Sequence, residues 1–121
     1  MDAQQPDGQT AFARVPGDGA ALVCCRCRQR ITDSGQRCMV QGASSHTCVN
    51  PAGIIYQLSC FRAAPGVGYS GSPTTAWSWF AGYSWSVAHC RGCGQHMGWL
   101  FLGQEGESFH ALITQRLCES G

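Results

Sequence analysis

Short apolar stretches, broken at close intervals by glycine or proline, run through most of this chain. They are strand-length and rich in aromatic or β-branched residues, which favours strands over helices. The stretches are residues 37–41, 53–59, 77–80, 84–88 and 97–102. Residues 109–117 offer a helical turn or two, but their pattern fits a strand almost as well. The pattern predicts an all-β, mainly antiparallel domain.

The same pattern predicts where the compact domain begins and ends. Residues 1–20 are rich in Gly, Gln, Asp and Pro and show little apolar periodicity, so we expect a flexible N-terminal segment there. The domain is expected over residues 21–118, followed by a short tail at 119–121. A chain of 121 residues has room for one domain with a modest core.

The charge balance excludes some classes of partner. Eight basic residues, all arginine, face seven acidic ones, and a net charge of +1 does not steer a protein to nucleic acid or to an anionic membrane. No apolar run approaches the roughly 20 residues that a spanning helix needs. The N-terminus lacks the basic and apolar regions of a secretory signal. We therefore expect a cytoplasmic protein whose nine cysteines stay reduced.

Four of the cysteines form two Cys-x-x-Cys pairs, Cys24 with Cys27 and Cys90 with Cys93. Reduced pairs at this spacing favour a metal over disulfides, and four thiolates make the closed tetrahedral shell of one structural Zn²⁺ ion. Because 62 residues lie between Cys27 and Cys90, the ion would join two distant parts of the fold. The alternatives are an iron–sulfur cluster, a redox dithiol or a disulfide framework.

The other cysteines and two histidines near the pairs are not predicted to be ligands. Cys25 forms a Cys-x-Cys pair with Cys27, but Cys24 has the Cys-x-x-Cys spacing and is the predicted ligand. His89 and His96 flank the second pair and are expected to pack or to form hydrogen bonds. We expect four cysteines to be buried and to pack like small apolar side chains, namely Cys38, Cys48, Cys60 and Cys118.

Four tryptophans lie within residues 77–99. Strand alternation predicts one shared face for Trp77 and Trp79 and another for Trp99 and Phe101, with Trp85 beginning a further strand. These side chains form either an ordinary core or an aromatic pocket for a flat, weakly polar ring or a cation. No Ser-His-Asp order and no Cys-His pair outside the metal pairs accompanies them, so we do not expect an enzyme.

Read in order, these residues resemble the CULT domain family, the thalidomide-binding domain found in cereblon, and its short single-domain bacterial members. The matching segments are Cys24-Cys-Arg-Cys27, Val49-Asn-Pro-Ala-Gly53, Ser78-Trp-Phe-Ala-Gly-Tyr-Ser-Trp-Ser-Val-Ala-His-Cys-Arg-Gly-Cys93 and His96-Met-Gly-Trp-Leu-Phe101. The resemblance covers about residues 21–118. It implies two antiparallel sheets that meet at a steep angle, like a tent, with zinc near their junction.

The resemblance also implies a binding site for cyclic imides. Ligands of the family are glutarimide, succinimide and hydantoin rings, in thalidomide-class drugs or at cyclised protein C-termini, and uracil-like rings are similar in shape. The implied site is a cage of three tryptophans with an aromatic floor, main-chain contacts to the imide, and a loop beside the mouth. Its residues in this chain are Asn50, Pro51, Trp77, Ser78, Trp79, Trp85, Trp99 and Phe101.

Trp77 departs from the family, whose members often carry His or Phe at this position. An indole turned toward the mouth would narrow the pocket or extend its stacking surface. Ubiquitin-ligase activity is not expected, because the sequence lacks the second domain through which cereblon docks its ligase. The predicted function is a small-molecule binding module, and the alternatives are a zinc-organised protein-interaction domain or an enzyme acting on cyclic imides.

Overall fold

The structure, a computed structural model, describes residues 19–120. The expected flexible segment at residues 1–20 lies outside the described residues except for its last two. Within the described part, nine strands pair antiparallel in two sheets, which confirms the predicted all-β fold class. No helix in this part of the chain has the length and apolar character needed to cross a bilayer.

The smaller sheet joins the two ends of the domain. Strand β1 (Ala21–Cys24) lies in its centre, between β2 (Arg30–Asp33) and β9 (Leu117–Glu119). The pairing of β1 with β9 sets Val23 opposite Cys118. Strand β9 ends at Glu119.

The larger sheet carries the aromatic residues and has the strand order β3-β4-β8-β7-β6-β5. Pro73 lies in β5, which is an edge strand, where a residue without a backbone N–H is tolerated. The strands are β3 (Ser45–Val49), β4 (Ile55–Phe61), β5 (Val67–Thr74), β6 (Tyr83–Cys90), β7 (His96–Gly103) and β8 (Ser108–Ile113).

Two apolar clusters make up the core. The first lies between the sheets, where Cys24 and Ile31 of the small sheet pack with Met97 and Leu112 of the large one. The second lies against the large sheet alone and is rich in aromatic rings, with Leu58, Phe80, Trp99, Phe101 and Phe109 among its members. The first cluster fastens the sheets together, and the second supports the candidate site.

Close packing between β7 and β8 requires a glycine at position 98. Gly98 has a φ of 153°, and a Cβ atom there would lie 2.1 Å from the carbonyl oxygen of Ala111. Any side chain would therefore push the two strands apart. The adjacent residue, Trp99, belongs to the second core cluster.

Some predicted elements are wrong. Residues 37–41 form isolated bridges at Arg37 and Val40 rather than a strand. Residues 77–80 lie in the turn between β5 and β6, so Trp77 and Trp79 do not share a strand face; Trp77 has a φ of 59°, which strand geometry does not allow. Residues 109–117 divide between β8, a 3₁₀ turn at Thr114–Arg116 and the start of β9.

Candidate functional site: a four-cysteine cluster and an aromatic cavity

The first Cys-x-x-Cys pair forms the turn between β1 and β2. Cys24 is the last residue of β1, and its N–H donates to the carbonyl of Gln29 at 2.8 Å. The N–H of Arg28 donates back to the carbonyl of Cys24 at 2.8 Å. The turn closes because Arg28 adopts a left-handed φ of 71°.

The second pair repeats this geometry between β6 and β7. The N–H of Cys90 donates to the carbonyl of Gln95, and the N–H of Gly94 donates to that of Cys90, both at 2.8 Å. Gly94, with a φ of 79°, occupies the position that Arg28 occupies in the first turn. Glycine adopts this left-handed φ without strain, whereas arginine does not. The two turns therefore present their sulfurs in the same way, one from each sheet.

The four sulfurs converge on one point. All lie within 4.8 Å of one another, with Cys24 and Cys93 at 3.8 Å and Cys27 and Cys90 at 3.5 Å. A tetrahedron with Zn–S bonds of about 2.3 Å has edges of about 3.8 Å. The predicted ligands thus form a cluster of the right size to hold one metal ion, and the ion would join the two sheets.

The acid–base properties of the cluster also fit a cation. Burial opposes ionisation of the Cys24 thiol, but hydrogen bonds from the backbone of Cys27 and Arg26 and from neighbouring thiols lower its pKa overall. The backbone of Gln29 favours the Cys27 thiolate, but desolvation and the three nearby cysteines raise the pKa of Cys27 to about 12. Four adjacent thiolates repel one another, and a bound dication removes that penalty.

Hydrogen bonds to sulfur surround the cluster. The N–H of Gly92 donates to the Cys90 sulfur at 3.3 Å, and the side-chain amide of Gln95 donates to the Cys24 sulfur at 3.5 Å. Cys24 and Cys90 are buried, while Cys27 is exposed. Four protein sulfurs fill a tetrahedral shell and leave no position for a substrate, so the arrangement suits a structural ion.

A disulfide between Cys25 and Cys118 corrects the expectation that every cysteine stays reduced. Cys25 directly follows β1 and Cys118 lies in β9, so the pairing of these strands brings their Cα atoms to 5.1 Å. Cys118 is therefore not a free buried thiol. Cys60 is buried as predicted, and burial raises its pKa to about 12, whereas Cys38 and Cys48 are half-buried.

An aromatic cavity of about 260 Å³ lies at the edge of the second core cluster. The structure brings together seven of the eight residues predicted for a ligand site, and Ser78 is the exception. Larger hollows of about 630 and 510 Å³ exist elsewhere, but their linings are far more polar. The cavity is lined by Asn50, Pro51, Trp77, Trp79, Trp85, Val87, Trp99 and Phe101.

Two of the indoles are oriented by hydrogen bonds to the main chain. The Trp79 Nε1–H donates to the carbonyl of Val49 at 2.9 Å, and the Trp85 Nε1–H donates to that of Ala76 at 2.7 Å. These bonds satisfy the polar edge of each indole and tie it to a separate loop of the mouth. The ring faces remain available for apolar contact.

Trp99 is the most deeply buried of the four indoles, with 8% of its surface exposed. It meets Trp79, Tyr56 and His96 edge to face, with ring centroids 4.8, 5.0 and 4.6 Å away. Behind the cavity, Phe101 is buried as well. These contacts pack the inner walls of the cavity against one another.

The loop beside the mouth is held by the side chain of Asn50. Its Oδ1 accepts the N–H of Ala52 at 3.0 Å and that of Ile54 at 2.8 Å. With the oxygen engaged twice, the side-chain NH₂ of Asn50 is the group left to donate to a ligand.

Ser78 has a structural role in the turn that carries Trp77 and Trp79. Its hydroxyl donates to the carbonyl of Phe80 at 3.0 Å, and its N–H donates to the carbonyl of Thr75 at 3.2 Å. By contrast, the main-chain groups of Trp77 and Trp79 have no hydrogen-bonding partner among residues 19–120. Backbone donors and acceptors are therefore free in two residues that line the cavity.

Sequence reasoning missed the residues behind the cage. Val87 lines the cavity, and Tyr56 and His96 pack against Trp99. His96 lies outside the sulfur cluster, and its Nε2–H donates to the carbonyl of Gly98 at 3.0 Å. Burial lowers the pKa of His96, so a neutral ring packs there. Strand alternation along β7 was the available signal, but it does not identify contacts across strands.

Comparisons with known proteins find similarity to cereblon from several animals. No family model matches the chain. Protein cereblon from Gallus gallus is 49% identical over 53 residues, which are 44% of this chain and 12% of that protein. The cereblon of Danio rerio is 43% identical over 53 residues (44% and 12%), and that of Drosophila persimilis is 41% identical over 66 residues (53% and 11%). The chain thus matches only about a tenth of the length of these relatives.

Proposed function

We propose that this chain, which carries a cereblon-type CULT domain, is a binding module for small cyclic imides. The observation that carries the proposal is the cavity itself, where Trp79, Trp85 and Trp99 stand around a space with a buried Phe101 behind it. Glutarimide, succinimide and hydantoin rings are the proposed ligands, alone, in thalidomide-class drugs or as cyclised protein C-termini. Uracil-like rings share the shape.

The chemistry of an imide complements the groups around the cavity. An imide presents a row of C=O, N–H and C=O on one edge and CH₂ groups on the other. The unpartnered main-chain carbonyl and N–H groups of Trp77 and Trp79 match the polar edge. The indole faces bury the CH₂ groups, and the Asn50 amide offers a further donor. Among residues 19–120, no charged side chain lines the cavity, which suits a neutral ligand.

The size of the cavity favours one ring over a large molecule. A volume of about 260 Å³ falls just below the roughly 300–1,000 Å³ typical of sites for drug-sized ligands. A single six-membered ring fits inside, and any large substituent must extend through the mouth.

We propose Zn²⁺ as the ion of the four-cysteine cluster, with a structural role. It would hold the turn after β1 against the turn after β6. Strands β6 and β7, which this second turn connects, carry Trp85, Trp99 and Phe101. The ion thereby supports the cage without contacting the ligand.

Binding without turnover is the activity that the lining residues favour. None of the eight lining residues has an ionisable side chain, so no general base or nucleophile lines the cavity. The nearby His96 ring is packed edge to face on Trp99, and its Nε2 is engaged by Gly98. An enzyme acting on the imide would need such a group within hydrogen-bonding reach.

A titration of tryptophan fluorescence with glutarimide tests the proposal. We expect binding at low-to-mid micromolar concentration, roughly −6 to −8 kcal/mol. N-methylglutarimide should not bind, because methylation removes the donor and adds bulk where the backbone must approach. Equal affinity for both compounds would refute imide recognition. Analysis of the ligand after long incubation should return it unchanged, and a hydrolysed product would identify an enzyme instead.

A further inference from the structure

Trp77 is the one aromatic residue of the cavity that remains largely in solvent. Its side chain is 76% exposed, whereas that of Trp99 is 8% exposed. It nevertheless lines the cavity together with the three cage tryptophans. Trp77 therefore adds little to the core, and its position at the rim needs another explanation.

The backbone fixes Trp77 in a conformation that bulky residues rarely adopt. Its φ of 59° is left-handed. The turn around it is held by hydrogen bonds from the N–H of Ser78 to the carbonyl of Thr75 at 3.2 Å and from the N–H of Ala76 to the hydroxyl of Thr74 at 3.1 Å. The Trp85 indole adds a third bond, to the carbonyl of Ala76. The neighbours thus impose the strain and hold the indole at the mouth.

The mouth lies where the exposed lining residues meet. Phe101 is buried, whereas Pro51 and Trp77 are exposed and come from two separate turns. A substituent that leaves the cage on this side therefore passes beside these two residues. The Asn50 hydrogen bonds hold the first turn and the bonds around Ala76 hold the second, so the exit has a defined shape.

We propose that Trp77 determines specificity for what is attached to the imide, by stacking its indole on a flat substituent that leaves the cage. The inference rests on the proposed function, because it assumes that the cage holds the ring. An indole face favours planar π groups, such as an aryl ring or an amide plane, over saturated groups of equal bulk. The preferred ligand is a substituted ring in which such a plane adjoins the imide.

The test compares three ligands on three proteins. The ligands are glutarimide and two derivatives that carry either a phenyl or a cyclohexyl group on the carbon next to one carbonyl. The proteins are the unsubstituted chain, Trp77→Asn and Met39→Ala. Asparagine tolerates a left-handed φ, so Trp77→Asn removes the indole while keeping the turn. Met39 is 69% exposed and does not line the cavity, so its variant is the matched control.

In the unsubstituted chain and in Met39→Ala, the phenyl derivative should bind roughly fivefold more tightly than the cyclohexyl one, which corresponds to about 1 kcal/mol. Trp77→Asn should abolish that difference by weakening the phenyl derivative more than it weakens glutarimide. If phenyl and cyclohexyl derivatives bind equally to the unsubstituted chain, or Trp77→Asn keeps the preference, the inference is wrong while imide binding stands. If Trp77→Asn weakens all three ligands alike, Trp77 is a wall for the ring itself, which also overturns it. Failure of glutarimide to bind at all would remove the proposed function, and this inference with it.

Discussion

Replacing Trp99 by alanine should damage both the fold and the cage. The side chain is 8% exposed and makes three edge-to-face contacts, with Trp79, Tyr56 and His96. Truncating a buried aromatic residue to alanine costs about 3–5 kcal/mol of unfolding free energy. We expect about 4 kcal/mol here, because each lost aromatic pair adds to the lost burial.

The same substitution removes one wall from the bound ring. A wall contributes apolar contact of about 1–2 kcal/mol to a small ligand, so glutarimide should bind at least about tenfold more weakly, or about 1.4 kcal/mol. Trp85→Ala should weaken binding to a similar extent. Its cost in stability should be smaller, about 2 kcal/mol, because Trp85 is only half-buried.

The assay pairs denaturant unfolding with calorimetric titration on zinc-loaded protein, and near-UV circular dichroism confirms that each variant is folded at the titration temperature. Trp99→Phe, which retains a ring, should fall between the original chain and Trp99→Ala in both measurements. The reasoning is refuted if folded Trp99→Ala binds glutarimide within twofold of the original chain. It is also refuted if Trp77→Ala weakens glutarimide more than Trp99→Ala, since Trp77 is placed at the rim.

Four further predictions concern the framework of the domain. Cys90→Ser should lower the unfolding free energy by several kcal/mol and reduce bound zinc, because metal binding and folding are coupled; a native melting curve in metal-free variant protein would contradict this. Replacing both Cys25 and Cys118 by serine opens a loop of 93 residues. The loop entropy should lower the free energy of unfolding by at most about 4–5 kcal/mol, and by less when zinc is bound. Denaturation with and without a chelator measures both values. Arg28→Gly relieves a left-handed φ of 71°. It should therefore raise the melting temperature and increase the free energy of unfolding by up to about 1 kcal/mol. Burial lowers the pKa of His110 from an ordinary value of 6.5, so the unfolded chain binds a proton more readily than the folded chain does. The free energy of unfolding should therefore fall as the pH drops below about 6.5, and it should fall less steeply in His110→Gln. Urea titrations at several pH values measure both slopes.

Local spacing was sufficient to predict some features of the site. Two residues separate Cys24 from Cys27, and two separate Cys90 from Cys93; both pairs form the same hydrogen-bonded turn in this chain. The alternation of Trp99 with Phe101 correctly predicted a shared strand face, because β7 is regular there. Each of these features depends on residues that are close in sequence.

The features that sequence reasoning missed depend on backbone conformation or on distant pairing. Trp77 and Trp79 have the spacing of a strand, but a φ of 59° at Trp77 makes the segment a turn, and periodicity does not reveal the sign of φ. Cys118 was predicted to be a buried free cysteine. Its disulfide with Cys25 was missed because it depends on the pairing of β9 with β1, which lie at opposite ends of the domain sequence. The Tyr56 contact with Trp99 likewise crosses from one strand to another.

The cross-links between distant residues have a consequence for a chain that is cut. The sulfur cluster joins Cys24 and Cys27 to Cys90 and Cys93, and the disulfide joins Cys25 to Cys118. Every residue that lines the cavity lies between Cys25 and Cys118 in sequence. A protease that cleaves within residues 50–54 or within residues 75–82 would therefore produce two fragments that remain joined by the Cys25–Cys118 disulfide.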